Sequence, residues 1–227
     1  MNRIVRIWIG PRADWLDRAD ATWAGFEVVH LGMDDMREHL PADVLDGVLE
    51  SKGDIDWRHR GRMLSDLLRY TVVSKIGGLY TDSDVEFIGS DPGDVWRHFN
   101  SDRPMLCMPR RPGESKHGCV NQCVLGALSE KAKAFWADIF HMGCERVREL
   151  LNGPGLWHNG AAVGHKTGPA WLRNEGFVRH CHVVGWPVVS QFGHATDETI
   201  MVACFGKADH AARARYHAKQ DRRGAKA

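Results

Sequence analysis

The stretch of residues 60–80 constrains the fold of this chain more than any other feature of its sequence. Over residues 60–76 the apolar side chains recur at the spacing of a helix with one broad buried face. They are Met63, Leu64, Leu67, Leu68, Val72, Val73 and Ile76. Gly77 follows directly, and glycine is typical of the position just after a helix because it adopts left-handed backbone at little cost. Gly78 lets the chain turn again, so the stretch predicts a long helix, a tight turn and the start of a strand.

Two carboxylates follow at the end of this strand, in the tripeptide Asp82-Ser83-Asp84. Side chains at positions i and i+2 of an extended backbone point the same way, so both carboxylates should converge on one small volume. Oxygen ligands of this kind suit Mg²⁺ or Mn²⁺, especially where a diphosphate supplies further oxygens. The same pattern also occurs in surface turns that bind no metal.

An acid and a base share one face of the predicted helix, because Asp66 and Arg69 lie three residues apart. The ordinary interpretation of such a spacing is an ion pair on a solvated helix face, which contributes little to stability.

Three segments, taken together and in order, resemble the sugar-binding DXD region of the family 32 glycosyltransferases. They are Ser65-Asp66-Leu67-Leu68-Arg69-Tyr70, Gly77-Gly78-Leu79-Tyr80 and Asp82-Ser83-Asp84-Val85-Glu86. The family includes bacterial capsule and lipo-oligosaccharide transferases and yeast mannosyltransferases, and it is related to the catalytic domains of large clostridial glucosylating toxins. Three shorter segments resemble other parts of the family pattern. They are Ile4-Val5-Arg6-Ile7-Trp8-Ile9-Gly10, Asn121 with the apolar residues after it, and Thr167-Gly168-Pro169.

The resemblance implies a retaining glycosyltransferase that moves a hexose from a nucleoside diphosphate sugar to an acceptor hydroxyl with the help of Mn²⁺ or Mg²⁺. It implies that Asp84 binds the metal directly, and that Asp82 binds donor hydroxyls and reaches the metal through water. Asp66 is expected to accept hydrogen bonds from the donor sugar, and Arg69 to donate to sugar or phosphate oxygens. These four side chains are the expected catalytic residues.

Further residues are candidates for the donor and metal sites. Trp8, Tyr80 and Asn121 are expected to contact the donor, although Trp8 could instead be a core aromatic and Asn121 a buried structural amide. His217 is the predicted third metal ligand, because the family commonly ends with a His-containing segment that folds back over the metal and diphosphate. The segment after His217 lacks the Trp that is usual there, and His210 is the alternative.

Short apolar runs alternate with helical segments at the start of the chain. A strand is predicted over Ile4–Ile9, a helix from Asp14 to about Trp23, and a strand over Phe26–Leu31. This order is typical of βαβ units, and with the resemblance it predicts an α/β fold of the GT-A, Rossmann-like type: an open, mostly parallel sheet flanked by helices. Such sheets bind ligands where the carboxyl ends of their strands meet loops. The catalytic domain is expected to cover residues 1–218, with a basic, disordered tail over 219–227.

Four more predictions concern the rest of the chain. The strand is expected to continue over Val85–Ile88, so that Glu86 either supports the metal site or is a solvated acid on the strand face. Met105–Met108 reads as a strand, and the apolar periodicity from Gly126 onward predicts a helix. The stretch Val183–Val189 contains a proline and is compatible with an edge strand.

Composition narrows the classes of partner. The chain has 30 Lys and Arg against 29 Asp and Glu, which gives a formal net charge of +1. A general binder of polyanions would be strongly basic, so nucleic acid is not an expected partner. No apolar run reaches the roughly 20 residues that span a bilayer, and no signal-peptide pattern opens the sequence, so a cytoplasmic protein without a transmembrane segment is expected. The 6 Cys follow no zinc-site spacing, which favours free buried thiols.

Two other functions are compatible with the carboxylates. One is a metal-dependent nucleotide phosphohydrolase, which leaves the pairing of Asp66 with Arg69 as coincidence. The other is a non-catalytic module that binds nucleotide sugars or glycans. For a transferase, the expected partners are the nucleoside diphosphate sugar and a glycan, lipid-linked or protein acceptor, and the identity of the sugar depends on details of the binding site that no sequence pattern carries.

Overall fold

The structure, a computed structural model, describes residues 3–51, 57–108, 121–153, 167–203 and 207–224. The strands are β1 (Arg3–Ile7), β2 (Glu27–Leu31), β3 (Gly78–Asp82), β4 (Glu86–Phe87), β5 (Met105–Met108), β6 (Asn121–Ala127), β7 (His182–Gly185), β8 (Val189–Gln191) and β9 (Met201–Ala203). The α-helices are α1 (Trp15–Ala21), α2 (Met36–His39), α3 (Ala42–Glu50), α4 (Trp57–Ile76), α5 (Gly93–His98), α6 (Glu130–Asn152), α7 (Pro169–Asn174) and α8 (Lys207–Gly224).

Six strands form the main sheet, in the order β2-β1-β3-β6-β5-β7. β1 is parallel to both β2 and β3, and β5 is parallel to β7, whereas β6 runs antiparallel to its two neighbours. The sheet is therefore mostly parallel and flanked by helices, and the predicted fold class is confirmed. A second, smaller sheet has the order β4-β9-β8.

Both faces of the main sheet are buried at its central strands β1 and β3, as expected for a parallel sheet covered on two sides. Val5 and Tyr80 belong to a core shared with α4 and α6, while their strand neighbours Ile4 and Leu79 belong to a second core on the other face. Trp23 lies in that second core. The alternation places a helical layer on one side of β1 and β3, and the small sheet on the other.

The turn from α4 into β3 has the predicted geometry. Gly77 and Gly78 have φ of +73° and +80°, in the left-handed region that favours glycine. The amide of Gly77 donates to the carbonyl of Val73 at 3.1 Å, which closes the helix. A Cβ atom on Gly78 would lie 2.5 Å from the carbonyl oxygen of Arg3, so only glycine lets β3 lie beside β1 at this point.

Two predicted elements differ from the structure. β3 ends at Asp82 and a turn follows, so the strand predicted over Val85–Ile88 is reduced to β4, which pairs with β9 in the small sheet. The helix predicted from Gly126 begins later, because the side chain of Ser129 caps α6 by accepting a hydrogen bond from the amide of Ala132 at 3.1 Å. Gly126 itself belongs to β6.

Several other predicted elements are confirmed, most of them with shifted bounds. α1 and β2 lie within their predicted ranges, β1 begins and ends earlier than predicted, and β5 has the predicted limits. β7 is an edge strand that begins at His182 and ends at Gly185, so it covers only the first part of the stretch 183–189. α8 continues to Gly224, past the position where the sequence suggested the start of a tail, and the domain boundary stays a prediction. Cys107, Cys123, Cys144 and Cys181 are buried, and Cys144 and Cys181 are free thiols, as predicted. Cys119 and Cys204 lie outside the described residues.

Candidate active site

A cavity of about 610 Å³ opens at the carboxyl ends of β1 and β3. Its walls come from the segment after β1, from α4, from the end of β3 and from α8. Six of the side chains singled out above line it, namely Trp8, Arg69, Tyr80, Asp82, Asp84 and His210. The cavity therefore lies where a parallel sheet is expected to bind its ligand.

The two carboxylates reach this cavity from a turn, so the predicted extended backbone is wrong here. Asp82 is the last residue of β3, and the amide of Val85 donates to the Asp82 carbonyl at 3.0 Å. Ser83 and Asp84 occupy the turn, and the Ser83 hydroxyl donates to the carbonyl of Ile7 at 2.7 Å. Both carboxylates nevertheless line one cavity, which is the arrangement that the tripeptide predicted.

Asp82 is surrounded by groups that compensate its charge. Nη1 of Arg69 lies 3.3 Å from its Oδ1, and the hydroxyl of Tyr80 donates to the same oxygen. The Arg69 guanidinium lies over the Tyr80 ring, 5.0 Å from its centroid, within the range of a cation–π contact. Arg69 therefore links α4 to the end of β3 at the cavity wall.

Asp66 and Arg69 do not lie on a solvated face, so the ordinary interpretation of their spacing is wrong. Only 3% of Asp66 and 8% of Arg69 are exposed, and Nη2 of Arg69 lies 3.3 Å from Oδ1 of Asp66. The hydroxyl of Thr167 donates to Oδ2 of Asp66 at 3.3 Å, and the Tyr70 hydroxyl donates to the Thr167 carbonyl at 2.7 Å. The pair is thus held from both sides within the protein.

Burial shifts the titration of this pair. Burial raises the pKa of Asp66 to about 6, and Arg69 acts in the opposite direction. Burial by itself lowers the pKa of Arg69, but Tyr80, Asp82 and Asp66 raise it above its ordinary value. Both side chains of the pair are therefore charged above pH 6.

Asp84 differs from Asp82 because it forms no ion pair among the described residues. Burial, and then the neighbouring charge of Asp82, raise the pKa of Asp84 to about 7. Within the described parts of the chain, no three His, Cys, Asp or Glu side chains form a group that could hold a metal. The oxygens of Asp84 and Asp82 suit Mg²⁺ or Mn²⁺, so the residues fit a cation whose other ligands come from a diphosphate and water.

The remaining predicted donor residues are placed as follows. Trp8 is partly buried, its Nε1 donates to the Pro11 carbonyl at 2.9 Å, and its ring packs edge-on against Trp15 at 5.4 Å. It thus presents an aromatic surface to the cavity rather than to the core. Asn121 is the first residue of β6, and its side chain lies outside what the structure describes.

His217 does not line the main cavity. Its Nε2 lies 3.0 Å from Oε2 of Glu86, and it borders a smaller cavity of about 210 Å³ between α1 and α8. His210, the alternative, lines both cavities. Glu86 is fully buried and also pairs with Arg213, so it is not a solvated acid, and it faces α8.

Sequence reasoning missed two residues that support the site. Thr167 has no sequence signal of its own beyond its segment, and its contact with Asp66 joins residues 101 positions apart. Arg6 is part of a predicted apolar strand, yet it is 1% exposed and donates to the Ser83 carbonyl in the turn that carries Asp84. A charged residue in the middle of an apolar run was the available signal for Arg6.

Comparisons with known proteins bear on this site and on the fold. Residues 31–101 match the family model described as "Glycosyltransferase sugar-binding region containing DXD motif", a stretch that includes α4, β3 and the turn at Asp84. A comparison with curated protein sequences gave no match.

Solved structures similar to this chain include three glycosyltransferases. A glycosyltransferase involved in the glycosylation of the major capsid of PBCV-1 has a TM-score of 0.53 and 10% identity, covering 92% of this chain and 95% of that one. An active-site mutant of LgtC has a TM-score of 0.46 and 14% identity, covering 90% and 87%. The PaToxG glycosyltransferase has a TM-score of 0.46 and 11% identity, covering 78% and 70%.

The family match and the PBCV-1 structure confirm the predicted resemblance and the GT-A-like fold. Residues 31–101 are similar to the DXD sugar-binding region of glycosyltransferases, and the chain has the same fold as the PBCV-1 structure. Among the described residues, no helix is long and apolar enough to cross a membrane.

Proposed function

We propose that this chain, with its DXD glycosyltransferase region, is a retaining hexosyltransferase that uses a nucleoside diphosphate sugar as donor and Mn²⁺ or Mg²⁺ as cofactor. The observation that carries the proposal is the unequal compensation of the two carboxylates. Asp82 is paired with Arg69, whereas Asp84 lines the same cavity without an ion pair among the described residues. One carboxylate is thus left to bind a cation beside Arg69, which lines the cavity and is held by the buried Asp66.

Charge separation defines the chemistry that such a site has to support. Transfer breaks the bond between the anomeric carbon and the diphosphate oxygen, so negative charge grows on the diphosphate and positive charge on the sugar ring. A divalent cation held by Asp84, with Asp82 beside it, would neutralise the departing diphosphate as a Lewis acid.

The protein's own side chains orient the donor. Arg69 keeps its guanidinium in place through Asp66 and Asp82, so it can donate to a sugar or phosphate oxygen without first becoming ordered. Asp66 does not line the cavity, so it acts on the donor through Arg69, which it holds in place while Thr167 donates to Asp66. Tyr80 fixes the orientation of Asp82, and Trp8 offers an aromatic surface on which a nucleotide base can stack.

Retention of the anomeric configuration requires no dedicated general base. The acceptor hydroxyl approaches from the face that the diphosphate leaves, so a phosphate oxygen of the leaving group can take its proton. A glycan, a lipid-linked sugar or a protein hydroxyl could serve as acceptor.

Metal-dependent nucleotide binding tests the proposal. The titrations follow uridine and guanosine diphosphates by calorimetry, with and without Mn²⁺, in the parent, in Asp84→Asn and in Asp138→Asn. Asp138 is an exposed carboxylate on α6, away from the cavity, and serves as the matched control. Mn²⁺ should strengthen binding in the parent and the control, and Asp84→Asn should abolish that gain. An equal Mn²⁺-dependent gain in Asp84→Asn would overturn the assignment.

A further inference from the structure

We propose that Arg6 is a positioning residue that fixes the turn carrying Asp84, and thereby sets the affinity of the site for its cation. The inference rests on the proposed function. Arg6 lies in the middle of β1, between the buried apolar residues Val5 and Ile7, and it is itself 1% exposed. It does not line the cavity, so it acts on the site through other residues.

The guanidinium of Arg6 donates to three oxygens near the end of β3. Nη1 donates to Oγ1 of Thr81 at 3.2 Å and to the Val85 carbonyl at 3.0 Å, and Nη2 donates to the Ser83 carbonyl at 2.6 Å. The two carbonyls belong to the residues immediately before and after Asp84. The backbone of Asp84 is therefore held on both sides by one rigid, planar group.

Neighbouring contacts support the same turn. The Val85 carbonyl also accepts a hydrogen bond from Nε1 of Trp23 at 3.0 Å, and Ser83 reaches the carbonyl of Ile7 through its hydroxyl. Arg6 additionally lies over the Trp23 ring, 5.6 Å from its centroid. The turn is thus held by β1 and by Trp23, which follows α1, and Arg6 contacts both the turn and the Trp23 ring.

The charge of Arg6 is compensated away from the cavity. Its Nε lies 2.9 Å from Oδ1 of Asp20, and the other oxygen of Asp20 pairs with Arg12 at 3.0 Å. Burial lowers the pKa of Arg6, and Asp20 opposes that shift. Because the ion pair of Arg6 is made with Asp20, its contacts with the turn go to neutral oxygens and leave the carboxylate of Asp84 available to a cation.

This arrangement has a measurable consequence for binding. The geometry of a cation site depends on the groups that orient its ligands, and changes to such groups typically cost about 10-fold to 100-fold in metal affinity. A lysine at position 6 would keep the charge for Asp20 but has no planar fork for three oxygens. The two functions of Arg6, charge and geometry, can therefore be separated.

The experiment compares Arg6→Met, Arg6→Lys and the control Arg103→Met. Arg103 also donates to two backbone carbonyls, those of Arg179 at 2.8 Å and His180 at 3.1 Å, but it lies near the amino end of β5, the strand next to the opposite edge of the sheet. Calorimetry measures Mn²⁺-dependent affinity for uridine and guanosine diphosphates, and hydrogen exchange of the metal-free protein reports on the amides of Asp84 and Val85. Urea unfolding confirms that each variant is folded under the conditions used.

Both Arg6 variants should lose about 10-fold to 100-fold in Mn²⁺-dependent affinity and should exchange the amides of Asp84 and Val85 faster, whereas Arg103→Met should match the parent in both. The proposal would be overturned if Arg6→Lys had the same Mn²⁺-dependent affinity and the same amide exchange rates as the parent. If Arg6→Met does not fold, the result for Arg6→Lys tests the proposal by itself. If the parent itself shows no Mn²⁺-dependent binding, the proposed function fails. Unchanged exchange in the metal-free variants is a separate result, and it would refute the role of Arg6 in holding the turn.

Discussion

Replacing Arg69 with Met should reduce the free energy of unfolding by about 3–5 kcal/mol at pH 8, the range found when one member of a buried ion pair is removed. Arg69 is 8% exposed and lies 3.3 Å from a carboxylate oxygen of both Asp66 and Asp82. Methionine occupies a similar volume without charge. The variant would therefore leave two carboxylates close together with no cation between them.

The loss should depend on pH in a direction that follows from Asp66. With Arg69 present, burial still raises the pKa of Asp66 to about 6, so without the guanidinium it rises further. A protonated Asp66 has no charge for Arg69 to compensate. The destabilisation caused by Arg69→Met should therefore shrink as the pH falls from 8 to 5.

Urea unfolding followed by tryptophan fluorescence measures both effects. Arg148→Met is the matched control, because Arg148 pairs with Asp43 and Glu145 at 2.6 Å on the surface, where such pairs contribute at most about 1 kcal/mol. If Arg69→Met costs no more than Arg148→Met at pH 8, the pair with Asp66 behaves as a surface pair and the reasoning fails.

Two further predictions concern the carboxylates of the site. In metal-free protein, Asp84→Asn should stabilise the fold by about 1–4 kcal/mol at pH 8 and have little effect at pH 4. Burial raises the Asp84 pKa from 3.8 to about 7, so the parent loses stability as the pH rises through that window. Urea titrations at the two pH values check this, and a variant less stable than the parent at pH 8 would contradict it. Asp66→Asn should slow sugar transfer about 100-fold while leaving the affinity for the nucleoside diphosphate unchanged, because Asp66 holds Arg69 in position for the sugar. Steady-state rates and calorimetry test the two halves, and equal losses in both would place the contact of Arg69 on the phosphates instead.

The sequence predicted the elements whose causes are local. Gly77 ends α4 because the left-handed turn is a property of that residue, and the periodicity before it marks the buried face of the helix. The prediction of a helix from Gly126 was wrong for an equally local reason. A strand that is buried on both faces is a continuous apolar run, so its pattern cannot be distinguished from that of the helix that follows. The cap at Ser129 separates the two elements.

The site depends on contacts between residues distant in sequence, and these were not predictable from local patterns. The turn at Asp84 is held by Arg6, 77 positions from Ser83, so the alternation of an extended strand did not apply. The sequence predicts Glu86 beside the metal or in solvent, but Glu86 pairs with Arg213 and His217 of α8. Whether His217 or His210 closes the metal site stays a prediction, and the structure places His210 at the cavity.

The bond that the protein breaks in a nucleotide sugar tests the central claim most directly. The protein is incubated with uridine and guanosine diphosphate sugars and Mg²⁺, and the products are followed by phosphorus NMR, with Asp84→Asn as the control. A glycosyltransferase should release free nucleoside diphosphate, slowly in water and faster with a suitable acceptor, and Asp84→Asn should abolish the release. Nucleoside monophosphate with sugar phosphate as the main products would show a phosphohydrolase, and no cleavage of donors that bind would show a binding module; either result would contradict the account.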